Sequence, residues 1–306
     1  MDHEGLYNTF SMNQMISLQT LQEQYAYTLD VDVKKDEKIT GSRQKTLHRA
    51  RWLNGDDSPI VLIEKNGSES APEILFNVTL HHKHIIKTYG LVNPNGHLLA
   101  HNSVLILQEY AENGDLGNLL MSRHFIPEQS VFLEIFIQIA EAMIYLSENN
   151  VIHGDLGCRN VLVIRSHPHK PKENFVKLID FGLSRSGSRS SISNNDIPVR
   201  FVPKEILQSN GRTGHSIHSD VYAFGVFMHE ACSFGRMPYE DINDDQEVRR
   251  QKLIGKRLSQ PADCDPNLWK LMDLCWHDRP ENRPTFQQIH TQLKAIQNIQ
   301  SSRSHS

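Results

Sequence analysis

Cysteine is scarce in this 306-residue chain: there are four, Cys158, Cys232, Cys264 and Cys275, and none stands at metal-ligand spacing from another. That scatter excludes a zinc module and a disulfide framework and fits reduced thiols. Basic runs are missing too. Lys and Arg (32) are outnumbered by Asp and Glu (36), so nothing marks a nucleic-acid surface or an anionic membrane. No uninterrupted apolar stretch is long enough for a bilayer. The longest, Val131 to Leu146, is broken by Glu134, Gln138 and Glu141, and its apolar positions recur at helical spacing. A buried amphipathic helix is expected there, not a transmembrane span. The N-terminus starts with Asp2 and Glu4 and has no apolar h-region, so no signal peptide is expected and the chain reads as cytoplasmic. Histidines are plentiful, but no HExxH pair occurs, and His81, His82 and His84 read as loop residues beside a helix end.

What is present is a change of pattern along the chain. Residues 1–28 form a polar extension with room for one short helix. Residues 29–111 are strand-like, with β-branched runs such as Ile60-Val61-Leu62-Ile63 and Val104-Leu105-Ile106-Leu107. One helical stretch interrupts them near Glu73 to Leu80. Over 112–297 helical periodicity dominates, at 130–147, 219–233, 266–276 and 284–297, and a polar tail covers 298–306. The expectation is an α+β, bilobal chain, with a β-rich small lobe carrying one helix hinged to a mainly helical large lobe. Ser166 to Asn174 (Pro, His, Lys) and Ser184 to Asn195 (Ser, Arg, Gly, Asn) read as mobile loops.

The strongest local signal is His153-Gly154-Asp155-Leu156-Gly157-Cys158-Arg159-Asn160, with an acid and an amide five positions apart. That spacing resembles a kinase catalytic loop, and the resemblance implies a loop that orients a hydroxyl and holds a metal, which is most of what phosphoryl transfer asks of a protein. Asp155 would accept the hydroxyl proton and Asn160 would ligate Mg²⁺. Asp180-Phe181-Gly182 follows an apolar strand, where a second metal ligand, Asp180, belongs. These motifs resemble those of protein kinases over about residues 29–297. Pro203-Lys204-Glu205 is similar to the APE motif, and the resemblance pairs Glu205 with Arg283 in a buried ion pair. Ser219-Asp220-Val221-Tyr222-Ala223-Phe224-Gly225 resembles the helix whose Asp220 ties down the catalytic loop. Three features are similar to tyrosine kinases: Arg159 four residues after Asp155, the segment Pro198-Val199-Arg200-Phe201 that seats a phenol ring, and Leu271-Met272-Asp273-Leu274-Cys275-Trp276 through Phe286.

The nucleotide clamp departs from that pattern. Glycines let backbone amides approach phosphates without a Cβ in the way. Aligning Leu47-His48-Arg49-Ala50 with V-Y-x-A puts Thr40, Ser42 and Lys45 where three glycines belong. Glu64 stands where the third-strand lysine should be, and alternation puts Leu62 and Glu64 on one face, read as the nucleotide face. At 4 Å and an effective dielectric near 20 each unit-charge pair is worth about 4 kcal/mol, so a Lys-to-Glu exchange turns attraction into repulsion. A one-residue shift would bring Lys65 inward and send Glu64 under the lobe's hydrophobic core. The family's helix glutamate falls on Glu73. Gly154 replaces the arginine of HRD, and the 183–197 loop has no tyrosine. His82-Lys83-His84, His153-Gly154 and the gatekeeper Gln108 before Glu109-Tyr110 are similar to Janus kinase pseudokinase domains, although Asp155 and Phe181 are retained here.

Two readings stand at this stage. The first is an ATP- and Mg²⁺-dependent kinase acting on protein tyrosine, with Asp155 and Arg159 catalytic and Asn160 and Asp180 on metal. Lys45, Leu47, Leu62, Glu64, Glu73, Gln108, Glu109, Ala111, Asn160 and Leu162 would surround the nucleotide. The second is a pseudokinase acting as an allosteric or interaction domain on a signalling partner. Lys45 is the candidate substitute for the missing lysine, as in with-no-lysine kinases, with a solvated hairpin charge as its bland alternative.

Overall fold

The computed structural model describes residues 27–41, 45–66, 78–97, 103–180, 185–186, 197–209 and 214–303. The N-terminal helix, Ser42, Glu73, Phe181 and, apart from Arg185 and Ser186, the Ser184 to Asn195 loop of the sequence reading lie outside these residues. The chain divides into two compact units, Met1–Val78 with Thr88–Glu109, and Thr79–Lys87 with Tyr110–Ser306. The first is a sheet and the second is mainly helical.

The sheet has six strands: β1 (Tyr27–Thr28), β2 (Val33–Gly41), β3 (Lys45–Trp52), β4 (Ile60–Asn66), β5 (Thr88–Asn93) and β6 (Ser103–Glu109), in the order β1-β5-β6-β4-β3-β2. β1 lies parallel to β5 and the other neighbours are antiparallel. Consecutive apolar residues, Ile60 to Ile63 in β4 and Leu105 to Leu107 in β6, are buried on both sides of the sheet. Ile60, Leu62, Leu105 and Leu107 join Leu29, Val33, Ala50 and Val92 in one cluster. Tyr27, Trp52 and Tyr89 pack against it, the Trp52 ring lying edge-on to both tyrosines at 5.3 and 5.1 Å.

The second unit contains α1 (Leu116–Met121), α2 (Gln129–Glu148), β7 (Val151–Ile152), β8 (Val161–Arg165), β9 (Phe175–Leu178), β10 (Arg185–Ser186), α3 (Lys204–Gln208), α4 (Ile217–Cys232), α5 (Asp245–Leu253), α6 (Pro266–Cys275) and α7 (Phe286–Arg303). The four long helices expected from periodicity are α2, α4, α6 and α7. The short α1, α3 and α5 were not foreseen, being too brief for a periodic signal. Their starts are still chemically marked: Asp115 and Asp244 cap the N-termini of α1 and α5, as Ser216 and Asp265 cap α4 and α6. By length and composition α2 is apolar enough to cross a membrane, but most of it is buried inside this fold.

The polar residues of α2 explain why it belongs inside. Gln138 donates from Nε2 to the Asn174 carbonyl at 2.9 Å and accepts the Val176 amide on Oε1 at 3.0 Å. Glu134, also buried, accepts from Lys172 at 2.7 Å and from Gln297 of α7 at 3.0 Å. These bonds lock the Ser166 to Asn174 loop, so the expectation of mobility is corrected. Asn174 closes it on itself, donating to the carbonyls of His167 and Lys170 and accepting the His167 amide. Its Pro, His and Lys content marks a turn without predicting these internal partners.

Thr79–Lys87 counts with the helical unit because it is bonded there. The Leu178 amide donates to the His84 carbonyl at 2.9 Å and the Ile86 amide to the Leu178 carbonyl at 3.0 Å. The His84 ring is buried, with Nδ1 2.9 Å from the Val176 carbonyl, and burial pulls its pKa down to about 4. It is a structural histidine in a turn. Among the described residues no group of three His, Cys, Asp or Glu side chains is placed to hold a metal.

Candidate functional site

In the helical unit the 153–160 loop is built from backbone bonds outward. Asp220, near the start of α4, accepts the His153 amide at 2.8 Å and the Gly154 amide at 2.9 Å on its two carboxyl oxygens. This is the tether expected from the sequence. Asp220 is 1% exposed, and burial raises its pKa to about 7 against the opposing pull of the two amides. Gly154 sits at φ +80°, a left-handed backbone that glycine adopts without Cβ strain. His153 is fully buried with Nε2 3.1 Å from the Ile179 carbonyl, which bonds the loop to the residue preceding Asp180.

Asp155, Arg159 and Asn160 converge. Asn160 donates from Nδ2 to the Asp155 carbonyl at 2.6 Å and to Asp155 Oδ2 at 2.9 Å, while Arg159 pairs with Asp155 Oδ1. The Asp155 side chain remains 20% exposed, enough to meet a ligand. The Arg159 guanidinium also lies over the Phe201 ring at 4.8 Å. Gly157 is hemmed in: a Cβ there would stand 3.1 Å from that ring and 3.4 Å from Glu230 Oε2. The same Glu230 oxygen accepts the Cys158 amide at 2.8 Å, a loop-fixing role that the sequence reading missed. Glu230 lies on α4, more than two turns beyond Asp220, and only the three-dimensional path of the loop brings it there.

The metal ligands proposed from sequence fit oxygen coordination. With its amide nitrogen committed to Asp155, Asn160 keeps its side-chain oxygen for a cation. Asp180 follows Ile179, whose amide donates to the Asn160 carbonyl at 2.9 Å. Two protein oxygens of this kind suit Mg²⁺, which keeps waters and phosphate oxygens as its remaining ligands. Leu162 lies on β8, opposite Lys177 of β9, and its backbone forms a bridge with Asp115; Ala111 is buried in the same unit, just after Tyr110.

The expected ion pair of Glu205 and Arg283 forms with both guanidinium nitrogens, at 2.7 and 3.0 Å. The Arg283 side chain is 1% exposed and Glu205 29%, so the burial expected of the pair is carried by the arginine. Arg283 also donates to the carbonyls of His218 and His277, both at 3.0 Å, and covers the Tyr222 ring.

The sheet unit divides the side chains of the proposed nucleotide set between its two faces. Residues directly opposite in a ladder point to the same side. The registers Lys45↔Lys65, Leu47↔Ile63 and Val61↔Gln108 therefore put Lys45, Leu47, Lys65 and Gln108 on one face. Thr46↔Glu64, His48↔Leu62, Leu62↔Leu107 and Ile60↔Glu109 put Leu62, Glu64 and Glu109 on the other. Leu62 and Glu64 do share a face, as expected, and their side chains do not share it with those of Lys45, Leu47 and Gln108. The reason is the hairpin register: Leu47 opposes Ile63, and Leu62 and Glu64 alternate to the other side. Leu62 is 0% exposed within the hydrophobic cluster. Glu64 sits on that face with Lys35 Nζ at 3.3 Å and His48 Nε2 at 3.9 Å. Burial and Lys35 lower the His48 pKa, so Lys35 is the cation that Glu64 meets at neutral pH. Gln108 donates from its amide nitrogen to Thr88 Oγ1 at 2.9 Å.

Comparison with known proteins agrees with the large-unit motifs. The profile of the protein tyrosine and serine/threonine kinase family matches residues 64–293. Tyrosine-protein kinase Btk of Drosophila melanogaster is 30% identical over 85% of this chain and 32% of its own length. Tyrosine-protein kinase Fer of Rattus norvegicus is 32% identical over 79% of this chain and 28% of its own length. Cytoplasmic tyrosine-protein kinase BMX of Homo sapiens is 32% identical over 80% of this chain and 35% of its own length. The chain thus spans about a third of the length of these relatives.

Proposed function

The chain belongs to the protein tyrosine and serine/threonine kinase family, and we propose that it transfers the γ-phosphate of ATP to protein tyrosine in the cytoplasm. The observation that carries this reading is the Asp155–Arg159–Asn160 arrangement, held by Asp220 and left accessible at Asp155. In it Asp155 Oδ orients the tyrosine hydroxyl and takes its proton. Arg159, fixed between Asp155 and the Phe201 face, presents its remaining N–H groups to phosphate or substrate. Asn160 and Asp180 would hold Mg²⁺, which would supply charge neutralisation on the phosphates. The tyrosine kinases among its relatives support tyrosine over serine or threonine as the acceptor.

A second reading, a pseudokinase whose nucleotide site is degenerate, rests on the sheet unit. Glu64 is committed to Lys35 on the face away from Lys45 and Gln108. The first strands, with their lost glycines, precede the family match at residue 64. Under the enzyme reading Lys45 supplies the missing ammonium, because it lies on the Gln108 face. Lys65, directly opposite it in the ladder, is the competing candidate.

Thermal shift of the purified chain with ATP, with and without Mg²⁺, tests both readings. Binding at 100 times Kd adds about 2.7 kcal/mol of stability. The expected result is an Mg²⁺-dependent shift that Lys45→Met removes and Lys65→Met leaves nearly intact. Loss confined to Lys65→Met would transfer the role to Lys65, and no shift in the wild type would favour the pseudokinase.

A further inference from the structure

Lys252 lies in the last turn of α5, four residues after the buried Val248. An apolar side chain is the usual choice on such a face. Lys252 is instead 5% exposed, and its partners are carbonyl oxygens. Nζ donates to Val199 at 2.9 Å, to Arg200 at 3.2 Å and to Val202 at 2.7 Å. The rings of Tyr222 on α4 and Tyr239 flank it at 5.2 and 5.5 Å. The same segment is gripped from its other side by Arg200. That side chain pairs with Asp245 at 2.7 Å and donates to the carbonyls of Pro238, Tyr239 and Ile242.

We propose that Lys252 is a positioning residue for the 198–202 loop: its ammonium fixes three consecutive-turn carbonyls, and so sets the backbone that a substrate tyrosine would lie against, only while it is protonated. The inference rests on the tyrosine-kinase reading for the role of that loop. An ammonium has three N–H donors for three carbonyls, whereas a neutral amine has two and turns a lone pair toward the third oxygen. Burial pulls the Lys252 pKa down to about 7, with Glu205 on α3 opposing that shift and Arg200 adding to it. Tyr222, pushed up to about 12 by its own burial, and Tyr239, pushed up further, stay neutral throughout the range. Arg283 lies beyond the Tyr222 ring and stays charged.

The sign separates this device from a stability effect. In the unfolded chain the lysine keeps its proton to about pH 10.4. Between about pH 7 and pH 10 the unfolded state therefore binds more protons than the folded one, and global stability rises with pH. The loop, over the same range, loses one of its three bonds. Order in 198–202 and stability of the whole run in opposite directions.

Amide exchange of Phe201 and Val202 reads the clamp without substrate, since both N–H groups donate to the Pro198 carbonyl, at 2.8 and 3.2 Å. The expected result is that protection in the wild type falls about tenfold from pH 6 to pH 8.5, and that Lys252→Met is poorly protected at both. Equal protection at the two pH values in the wild type, which needs no variant to fold, overturns the proposal, as does a Lys252→Met chain protected like the wild type. A tyrosine-containing peptide is then titrated at pH 6 and pH 8.5. Weaker binding at the higher pH in the wild type alone supports positioning, and affinity that ignores a confirmed loss of protection overturns it. A wild type that phosphorylates no tyrosine while its loop exchanges as expected counts against the kinase reading and leaves the clamp standing.

Discussion

The 153–160 loop and the β2–β4 hairpins are both regions where the kinase pattern should carry chemistry, and they have been treated very differently. In the loop, a demanding set of side chains survives together with the contacts that hold it. Asp220 accepts two backbone amides, Glu230 a third, and His153 reaches the Ile179 carbonyl. In the hairpins the sequence reading puts neither the glycines nor the lysine at their expected clamp positions, and Glu64, which it aligns with the lysine, has partners of its own. Glu64 meets Lys35 and His48 on the face that carries the hydrophobic cluster. A region kept only for its shape needs Asp220 and the apolar cluster, but has less use for a part-exposed acid held by Arg159 and Asn160 at residue 155. The difference teaches that each region is stabilised by contacts within its own unit, so the side chains of one can change without disturbing the other.

The largest effect is expected at the 153–160 loop. Asp155→Asn should cost at least about 10²-fold to 10⁴-fold in phosphoryl transfer, the usual value of a positioned base. Its melting temperature should move little, since Asn160 keeps its bond to the Asp155 carbonyl. Radiolabelled transfer to a tyrosine peptide beside a thermal melt measures both, and equal activity in the variant would break the comparison by removing the loop's advantage.

Next comes the ion pair that supports the same unit. Glu205→Ala leaves the nearly unexposed Arg283 cation without its carboxylate and should cost about 3–5 kcal/mol. Arg283→Ala leaves a partly exposed Glu205 that water can reach, but strands the His218 and His277 carbonyls, at about 1–3 kcal/mol. Denaturant melts of both single variants and the double variant give the coupling. Small additive losses would mean that the pair behaves like a surface contact, at under about 1 kcal/mol.

The smallest effect is expected in the sheet unit, and it sharpens the contrast most. Glu64→Ala should change stability by under about 1 kcal/mol, because its contact with Lys35 is part-exposed. It should also leave nucleotide affinity nearly unchanged, since the carboxylate points away from the Lys45 face. A tenfold gain in ATP affinity in this variant would place Glu64 against the phosphates after all.

Parts of this were legible in the chain before any coordinates. The loop from His153 to Asn160 could be read because its chemistry sits in eight consecutive residues, where spacing alone decides who can reach whom. The four long helices were legible for a related reason: helical periodicity is a local property, repeated often enough in α2, α4, α6 and α7 to stand out. The two-lobed α+β organisation followed from the same signal changing period near residue 111.

Other features were decided only when the chain closed on itself. Whether Glu64 shares a face with Leu47 depends on the hairpin register, in which Leu47 meets Ile63, and a one-residue slip inverts every side chain. That register is set by the packing of Leu62 among residues from five strands, not by the motif around it. The ordering of the Ser166 to Asn174 loop depends on Gln138 and Glu134 of α2, more than twenty residues away. Lys252 is the plainest case. As one letter in a helix it reads as a solvated cation, and only the path of residues 199–202 above α5 turns it into a buried donor for three carbonyls. Sequence by itself determined the chemistry available and the local periodicities, which are short-range properties of the chain. Tertiary structure decided register, burial and long-range partners, because those free energies exist only between segments brought together by folding.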